Sequence, residues 1–522
     1  MKRTFLVLTH FFMLTWILLI ATTIHAATLE VGTGKPYAAI QSAINDAVND
    51  DTILVYDGTY VENINFSGKA ISVKSVNGAD STTIDGNASG SVVNFVSGEG
   101  SGSVLDGFTI RNGNGGGGIA CVLSSPAITN CTISGNTASG GGGIYCDRSS
   151  PTITNCTISG NSASNYGGGI ACVVSSSPAI TNCTISGNSV SASEYGGGGI
   201  FCVVSSSPVI TNCTISGNTA SDGGGIYCRY SSSPTITNCT IIGNTAGVFG
   251  GGIYCSDTSS PTITNCTISA NTATEGGGGI YCYSSSPAIT NCTITGNTAD
   301  YGGGISSHFA SPTITNCTIT GNTADVLGGG IYCFYSSSPT VKNTILWGNT
   351  TWEIVGLSST ITITYSDIDE DGIAGTNGNI RQDPLFVDPA NGNFHLQPNS
   401  PCIDAATSDN APTTDMEGNP RYDDPSMPNT GGGTYPYYDI GAFEYQLSNV
   451  VIDGCDSGVK NLMLENGSTM SDMINTCANG AKNHGAFVSC VAKLTNTWEK
   501  MELITEEQKE AIQSCAAKAS IP

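Results

Sequence analysis

The chain has 522 residues, with 17 Lys and Arg against 41 Asp and Glu and a formal net charge of −24. Such a surface repels nucleic acid and anionic lipid, so neither is expected as a partner. Only 11% of residues are charged, against about a quarter in ordinary globular domains, and Ser, Thr, Asn and Gly supply the exterior instead.

Residues 1–26 read as a secretory signal. Lys2 and Arg3 precede an apolar run from Phe5 to Ile20, and Ile24-His25-Ala26 suits a cleavage site. The expected location is extracellular or at the cell surface, with an uncleaved anchor as the alternative. Residues 27–118 are expected to hold an N-terminal cap and the first coils. Behind Pro36, apolar residues at 37, 40, 44, 47 and 48 predict an amphipathic helix lying over an otherwise open sheet edge.

Residues 119–370 carry a repeat array. A block of about 26 residues recurs nine times, and its Ile falls at 119, 144, 170, 200, 226, 253, 280, 305 and 331. A strict period of that length means a solenoid, whose repeats bury their apolar faces against one another. It also excludes disorder. Within a block the apolar signal alternates with period two, as in strands. Ile144 and Cys146 face one way and Tyr145 the other; Cys156 and Ile158 face inward, with hydroxyls outward. Asn155 and the glycine runs permit sharp bends. Three short strands per turn give an all-β parallel β-helix, with coils rising by about 4.8 Å.

Stacked equivalents follow. The Asn columns, Asn130 to Asn343 and Asn136 to Asn349, are expected to form amide ladders. The Asn-Cys-Thr triplets match a glycosylation sequon, but their place at a tight bend points to a structural role. Two columns of eight cysteines, Cys121 to Cys333 and Cys131 to Cys317, are expected to be buried thiols. Ser307 interrupts one column and Thr344 ends the other, which favours packing over bonding. Inter-coil disulfides are the alternative. No Cys-x-x-Cys pair with a His partner appears, which argues against zinc.

Residues 371–446 form a region of different composition, expected to be β. Residues 450–522 turn to helix formers, with a capping box at Thr505-Glu506-Glu507-Gln508. Cys455, Cys477, Cys490 and Cys515 suggest two disulfides in a small helical module, in one of three connectivities. The partner of Cys402 is left open.

Gly58-Thr59-Tyr60, Gly107-Phe108-Thr109-Ile110 and the nine repeats resemble right-handed parallel β-helix proteins of the pectate-lyase-like type. Cys-Thr-Ile-Ser-Gly-Asn-Thr-Ala followed by Gly-Gly-Gly-Ile is similar to the repeats of polymorphic outer-membrane proteins. Asp383-Pro384-Leu385-Phe386-Val387-Asp388, Phe394-His395-Leu396-Gln397-Pro398, Ser400-Pro401-Cys402-Ile403-Asp404 and Asp439-Ile440-Gly441-Ala442-Phe443-Glu444 resemble the choice-of-anchor Q region of bacterial surface proteins. The resemblance implies a right-handed coil and an exported protein. Outer-membrane or cell-wall attachment through the C-terminal module is the accompanying expectation.

Two chemistries suggest themselves on the outside of the stack. The outward position between Ile and Cys is aromatic at Tyr145, Phe201, Tyr227, Tyr254, Tyr281 and Tyr332. An exposed strip of such rings would stack on sugars, so a polysaccharide or cell-surface glycan is the expected partner. Simple packing of outward Tyr on its own copies is the plainer alternative. Glu194, Asp222, Glu275, Asp300 and Asp325 precede the glycines, where hard oxygens could bind calcium; a solvated loop is the plainer reading, and no cofactor is expected. Catalysis in pectin-degrading relatives needs carboxylates beside a basic group. Between residues 112 and 341 the basic residues are Arg148, Arg229 and His308. No catalytic residue is assigned, and a non-catalytic binding or adhesion protein is favoured over a lyase or glycoside hydrolase acting on acidic polysaccharide.

Overall fold

The computed structural model describes residues 26–191, 196–424, 427–434, 436–462, 464 and 468–521. The segment read as a secretory signal, apart from Ala26, lies outside them. The rest of the chain is a parallel β-solenoid followed by a region folded against its side and a small disulfide-bonded module.

Stacking follows the sequence period residue for residue. Ile170 pairs with Ile200, Cys172 with Cys202, and Ile236 with Ile263. Each coil sends Ile from its successive faces into one continuous core in which these side chains are fully buried. The sixteen repeat cysteines sit in that core as free thiols. In the Cys131–Cys317 column the sulfurs stay close to carbonyls of the coil before, as between Cys213 and Ile180 O at 3.5 Å.

The two Asn columns do different work. Asn155, Asn182 and Asn212 hold φ near 53° at a corner, where Asn tolerates the left-handed region. Their side chains are exposed and form part of the expected ladder, with Asn182 Nδ2 donating to Asn155 Oδ1 at 3.3 Å. The second column is the buried ladder. Asn218 Nδ2 donates to Asn244 Oδ1 at 2.9 Å and to Ile185 O at 2.9 Å, and its own Oδ1 accepts from Asn188 Nδ2 at 3.0 Å.

Among the described residues, nine coils carry a fourth strand beyond the expected three, and the sheets contain 14, 13, 12 and nine strands. The nine-stranded sheet comes from the segment before each glycine run, such as Thr219–Asp222, Thr245–Phe249 and Thr298–Tyr301. Its inward residue is Ala, as at Ala220, Ala246 and Ala299, all buried. So small an apolar signal beside Gly reads as a loop, although a narrow fourth side needs a small side chain.

At the N-terminus the helix is shorter than its periodicity suggests, Ile40–Asp46. It buries Ile40, Ala43 and Ile44, and Glu62 accepts hydrogen bonds from the backbone N–H of Ile40 and Gln41 at its start.

Residues 371–446 are largely irregular. Their strands among the described residues are Phe386–Asp388 and Asn393–Leu396, so a β region is corrected to a packed irregular one. It folds against the last coils through Ile345 and Trp347. Arg421 is fully buried in this contact. Its guanidinium donates to Glu444 at 2.9 Å and to Asn291 Oδ1 at 3.1 Å. Asn343 donates to Thr407 O at 2.8 Å and accepts from Thr407 N at 3.0 Å. The corner asparagines thus become docking points where this region covers them. Cys402 is a buried free thiol, its sulfur 3.2 Å from Asp367 Oδ2.

The last segment pairs Asn449–Ile452 with Cys455–Lys460, then runs through three helices, Met470–Gly480, His484–Lys500 and Glu506–Lys518. The capping box at Thr505 is present. Of the three connectivities the structure takes Cys455–Cys515 and Cys477–Cys490. No helix of the described residues is long and apolar enough to cross a membrane.

Candidate functional site

The outward aromatic column does stack on its own copies. Tyr227 and Tyr254 lie parallel with centroids 4.7 Å apart, and Phe201 meets Tyr227 edge-on at 5.6 Å. The column is not an exposed strip. Phe201 and Tyr227 are each 3% exposed, Tyr254, Tyr281 and Tyr332 are also buried, and Tyr145 is half-buried. The fourth strand explains the correction. It folds back across the outside of the column and lays Tyr166 against Phe201 at 5.0 Å and Phe249 against Tyr281 at 4.4 Å. A second, outer apolar cluster results. Burial raises the Tyr227 phenol to about 12 and Tyr281 higher still, so these hydroxyls stay protonated.

The column lacks a ring at Ala120, Ala171 and Ser306, and at the last of these it opens. Ser306 takes the aromatic position, registered between Tyr281 on one side and Tyr332 on the other. Tyr281 and Tyr332 are therefore two coils apart, about 9.6 Å by the strand spacing, with one ring missing between them. A cleft of about 340 Å³ lies here, lined by Tyr281, Ser306, Tyr332, Phe249, Tyr301, Phe334, His308 and Glu275. Tyr301 comes from the fourth strand and packs on Tyr332 at 5.2 Å.

His308 ends the same short strand, Ile305–His308. Its Nδ1 lies 3.3 Å from the Tyr281 hydroxyl, and its Nε2 has no hydrogen-bond partner. Burial lowers its pKa below the usual imidazole value, so it is neutral at pH 7. Around it stands a platform of rings: Phe309 at 4.8 Å, Tyr335 at 5.1 Å and Tyr283 at 5.3 Å. Phe309 and Tyr335 are 50% and 47% exposed. Both occupy corner positions with φ of 52° and 44°, a conformation that bulky residues rarely adopt. The corner of the coil demands it, and it turns these rings to solvent.

The acidic residues divide. Glu194 lies outside the described residues. Asp222 is half-buried and accepts from Phe249 N at 3.2 Å; burial raises its pKa to about 6. Glu275 is exposed at the cleft, and Asp300 and Asp325 lie on the nine-stranded sheet of the following coils. Asp222, Asp300 and Asp325 belong to strands, so the loop reading is corrected for them, while Glu275 lies in an exposed bend as expected. Among the described residues no three His, Cys, Asp or Glu side chains are grouped as a metal ion requires. The repeat arginines are engaged elsewhere. Arg229 pairs with Asp257 at 2.7 Å and packs on Tyr230, and Arg148 pairs with its neighbour Asp147.

Sequence reasoning missed Ser306, Tyr301, Phe249, Phe334, Phe309 and Tyr335 as site residues, and weighed His308 only as a basic group. The available signal was the motif Ile305-Ser306-Ser307-His308, which breaks the aromatic column and the cysteine column in one strand.

The sequence matches the family described as "Right handed beta helix region" over residues 47–207, 189–308 and 298–382. Comparison with curated proteins finds no match. Among solved structures, pectate lyase Pel9A is 14% identical, with a TM-score of 0.41 over 81% of this chain and 98% of that one. The catalytic unit of the GH87 α-1,3-glucanase from Streptomyces thermodiastaticus is 14% identical, with a TM-score of 0.37 over 69% of each chain. A pectin methylesterase from Aspergillus niger is 17% identical, with a TM-score of 0.32 over 50% of this chain and 85% of that one.

Proposed function

The chain belongs to the right-handed β-helix family, and from that premise we propose an exported, non-catalytic protein that binds polysaccharide by seating a sugar ring in the slot at Ser306. The observation that carries this reading is the slot itself. An aromatic ladder with one rung removed leaves a gap about two coil spacings wide between two ring-bearing positions. A pyranose ring is of that thickness, and sugar faces stack on Tyr and Phe. Phe309 and Tyr335, exposed beside it, extend the surface on which neighbouring sugars of a polymer would rest. Ser306, Tyr301 and His308 supply the few polar groups that orient a ligand in a mostly apolar cleft.

A lyase or hydrolase acting on acidic polysaccharide is less well supported. No Lys or Arg lines the slot, and Glu275 is its one carboxylate. The C-terminal disulfide module is proposed as the element that attaches the protein to a surface. Calorimetric titration of a panel of neutral, cationic and anionic oligosaccharides tests the reading, with Tyr301→Ser as the comparison. Binding by the native protein, weakened about fivefold or more when the Tyr301 ring is lost, is expected. Absence of binding across the panel would dismiss it.

A further inference from the structure

Resting on the glycan-slot reading, we infer that the preferred ligand carries a positive charge: a polymer of amino sugar with free amines, in preference to its N-acetylated or uronic-acid counterparts. The charge of the slot carries the argument. Its rim bears Glu275, which is exposed. Asp222 lies close enough for the Glu275 charge to add to burial in raising its pKa. Asp300 and Asp325 extend the acidic edge over the next two coils of the same sheet. His308 is the basic group of the cleft, and burial keeps it neutral at pH 7.

Against these stand the repeat cations, Arg148 and Arg229, each already held by an aspartate. A uronate in the slot would meet Glu275 with no cation beside it, and like charges at that range repel. An ammonium group meets the opposite surroundings. Tyr281, Tyr301, Tyr332, Phe249 and Phe334 present ring faces or edges around it. A cation held near aromatic faces beside a carboxylate is stabilised by both. An acetamide in the same place is neutral and gains from neither. The whole-chain charge of −24 adds a long-range field that draws cationic polymers in and weakens with salt.

The test titrates the full mature protein with three tetramers of the same size: glucosamine, N-acetylglucosamine and galacturonate. The glucosamine tetramer is expected to bind about fivefold or more tighter than the N-acetylated one. Raising salt from about 50 to about 500 mM should remove most of that difference, since the Debye length contracts several-fold. Glu275→Gln, a substitution at an exposed position, should bring the preference down to about twofold or less. Equal or tighter binding of the N-acetylated tetramer overturns the charge assignment and leaves the slot as a neutral-sugar site. Tighter binding of galacturonate overturns it in the same way. A preference that survives both high salt and Glu275→Gln shows that the amine is read by something other than this rim. Failure of all three to bind removes the slot reading beneath it as well.

Discussion

Replacing Ser306 by tyrosine should close the slot and restore the ladder. The position lies in register between Tyr281 and Tyr332, so an added ring falls where the stacking period already places one. A tyrosine there would cover on the order of 100 Å² of apolar surface, worth about 2.5 kcal/mol at 25 cal/mol per Å². Rotamer ordering of the new side chain returns about 1 kcal/mol. A net stabilisation of about 1–2 kcal/mol follows, visible as a higher urea midpoint with an unchanged slope. Ligand affinity should fall at least tenfold, because the ring would occupy the space that the sugar needs. Ser306→Ala keeps the slot open and should retain most of the affinity, which separates filling from loss of the hydroxyl. The reasoning fails if Ser306→Tyr binds oligosaccharide as the native protein does. It fails equally if the substitution destabilises the fold by more than about 2 kcal/mol, for the space would then not be ring-shaped.

Two further outcomes are expected. Asn218→Ala removes a side chain that donates to Asn244 and Ile185 and accepts from Asn188; leaving those buried groups unpaired should cost about 3–5 kcal/mol by urea denaturation, while Ser216→Ala on the outer face should be near neutral. In the docked region, burial foremost raises Asp404 from 3.8 to about 7 and Glu444 from 4.5 to about 7. The folded form therefore holds protons that the unfolded chain releases, so the contribution of these groups is most favourable below pH 4 and declines as pH rises to about 7. Asp404→Asn should flatten that decline in a melting-temperature series; a parallel slope in native and variant proteins would show that Asp404 ionises freely.

The solenoid was legible because its signal repeats. Nine Ile at one spacing and two cysteine columns on one phase leave little freedom in register, and the observed pairs Ile170–Ile200 and Cys172–Cys202 follow it. The fourth strand was not legible. Its core residue is Ala, its length reaches five residues at most, and the glycine run beside it imitates a loop. That single omission propagated. With the segment read as a loop, nothing covered the aromatic column, and the strip was expected to face solvent. With it read as a strand, Tyr166 and Phe249 become the cover. The irregular fold of residues 371–446 was hidden for a different reason: its buried polar pairs, such as Arg421 with Glu444 and Asn291, join segments far apart in the chain and leave no periodic trace.

In a chain built from copies, the places where copying fails carry the information about function, but failure alone does not identify a site. Three coils depart from the aromatic rule at 120, 171 and 306. At Ala171 the departure is sealed: the residue is 0% exposed, and Tyr166 stacks on Phe201 across the gap. Ser306 is itself only 3% exposed, but a cleft lies over it that no neighbouring ring fills, although a ring there would add to stability. The same strand also gives up a core cysteine for Ser307, whose buried hydroxyl has no partner, a loss of about 1–3 kcal/mol. It then ends in the one histidine of the array. Three departures in four residues, two of them unfavourable to folding, concentrate at a single opening. Local rules broken at a cost and in one place are what the proposed binding slot would require, and a coil that had merely drifted would not concentrate them.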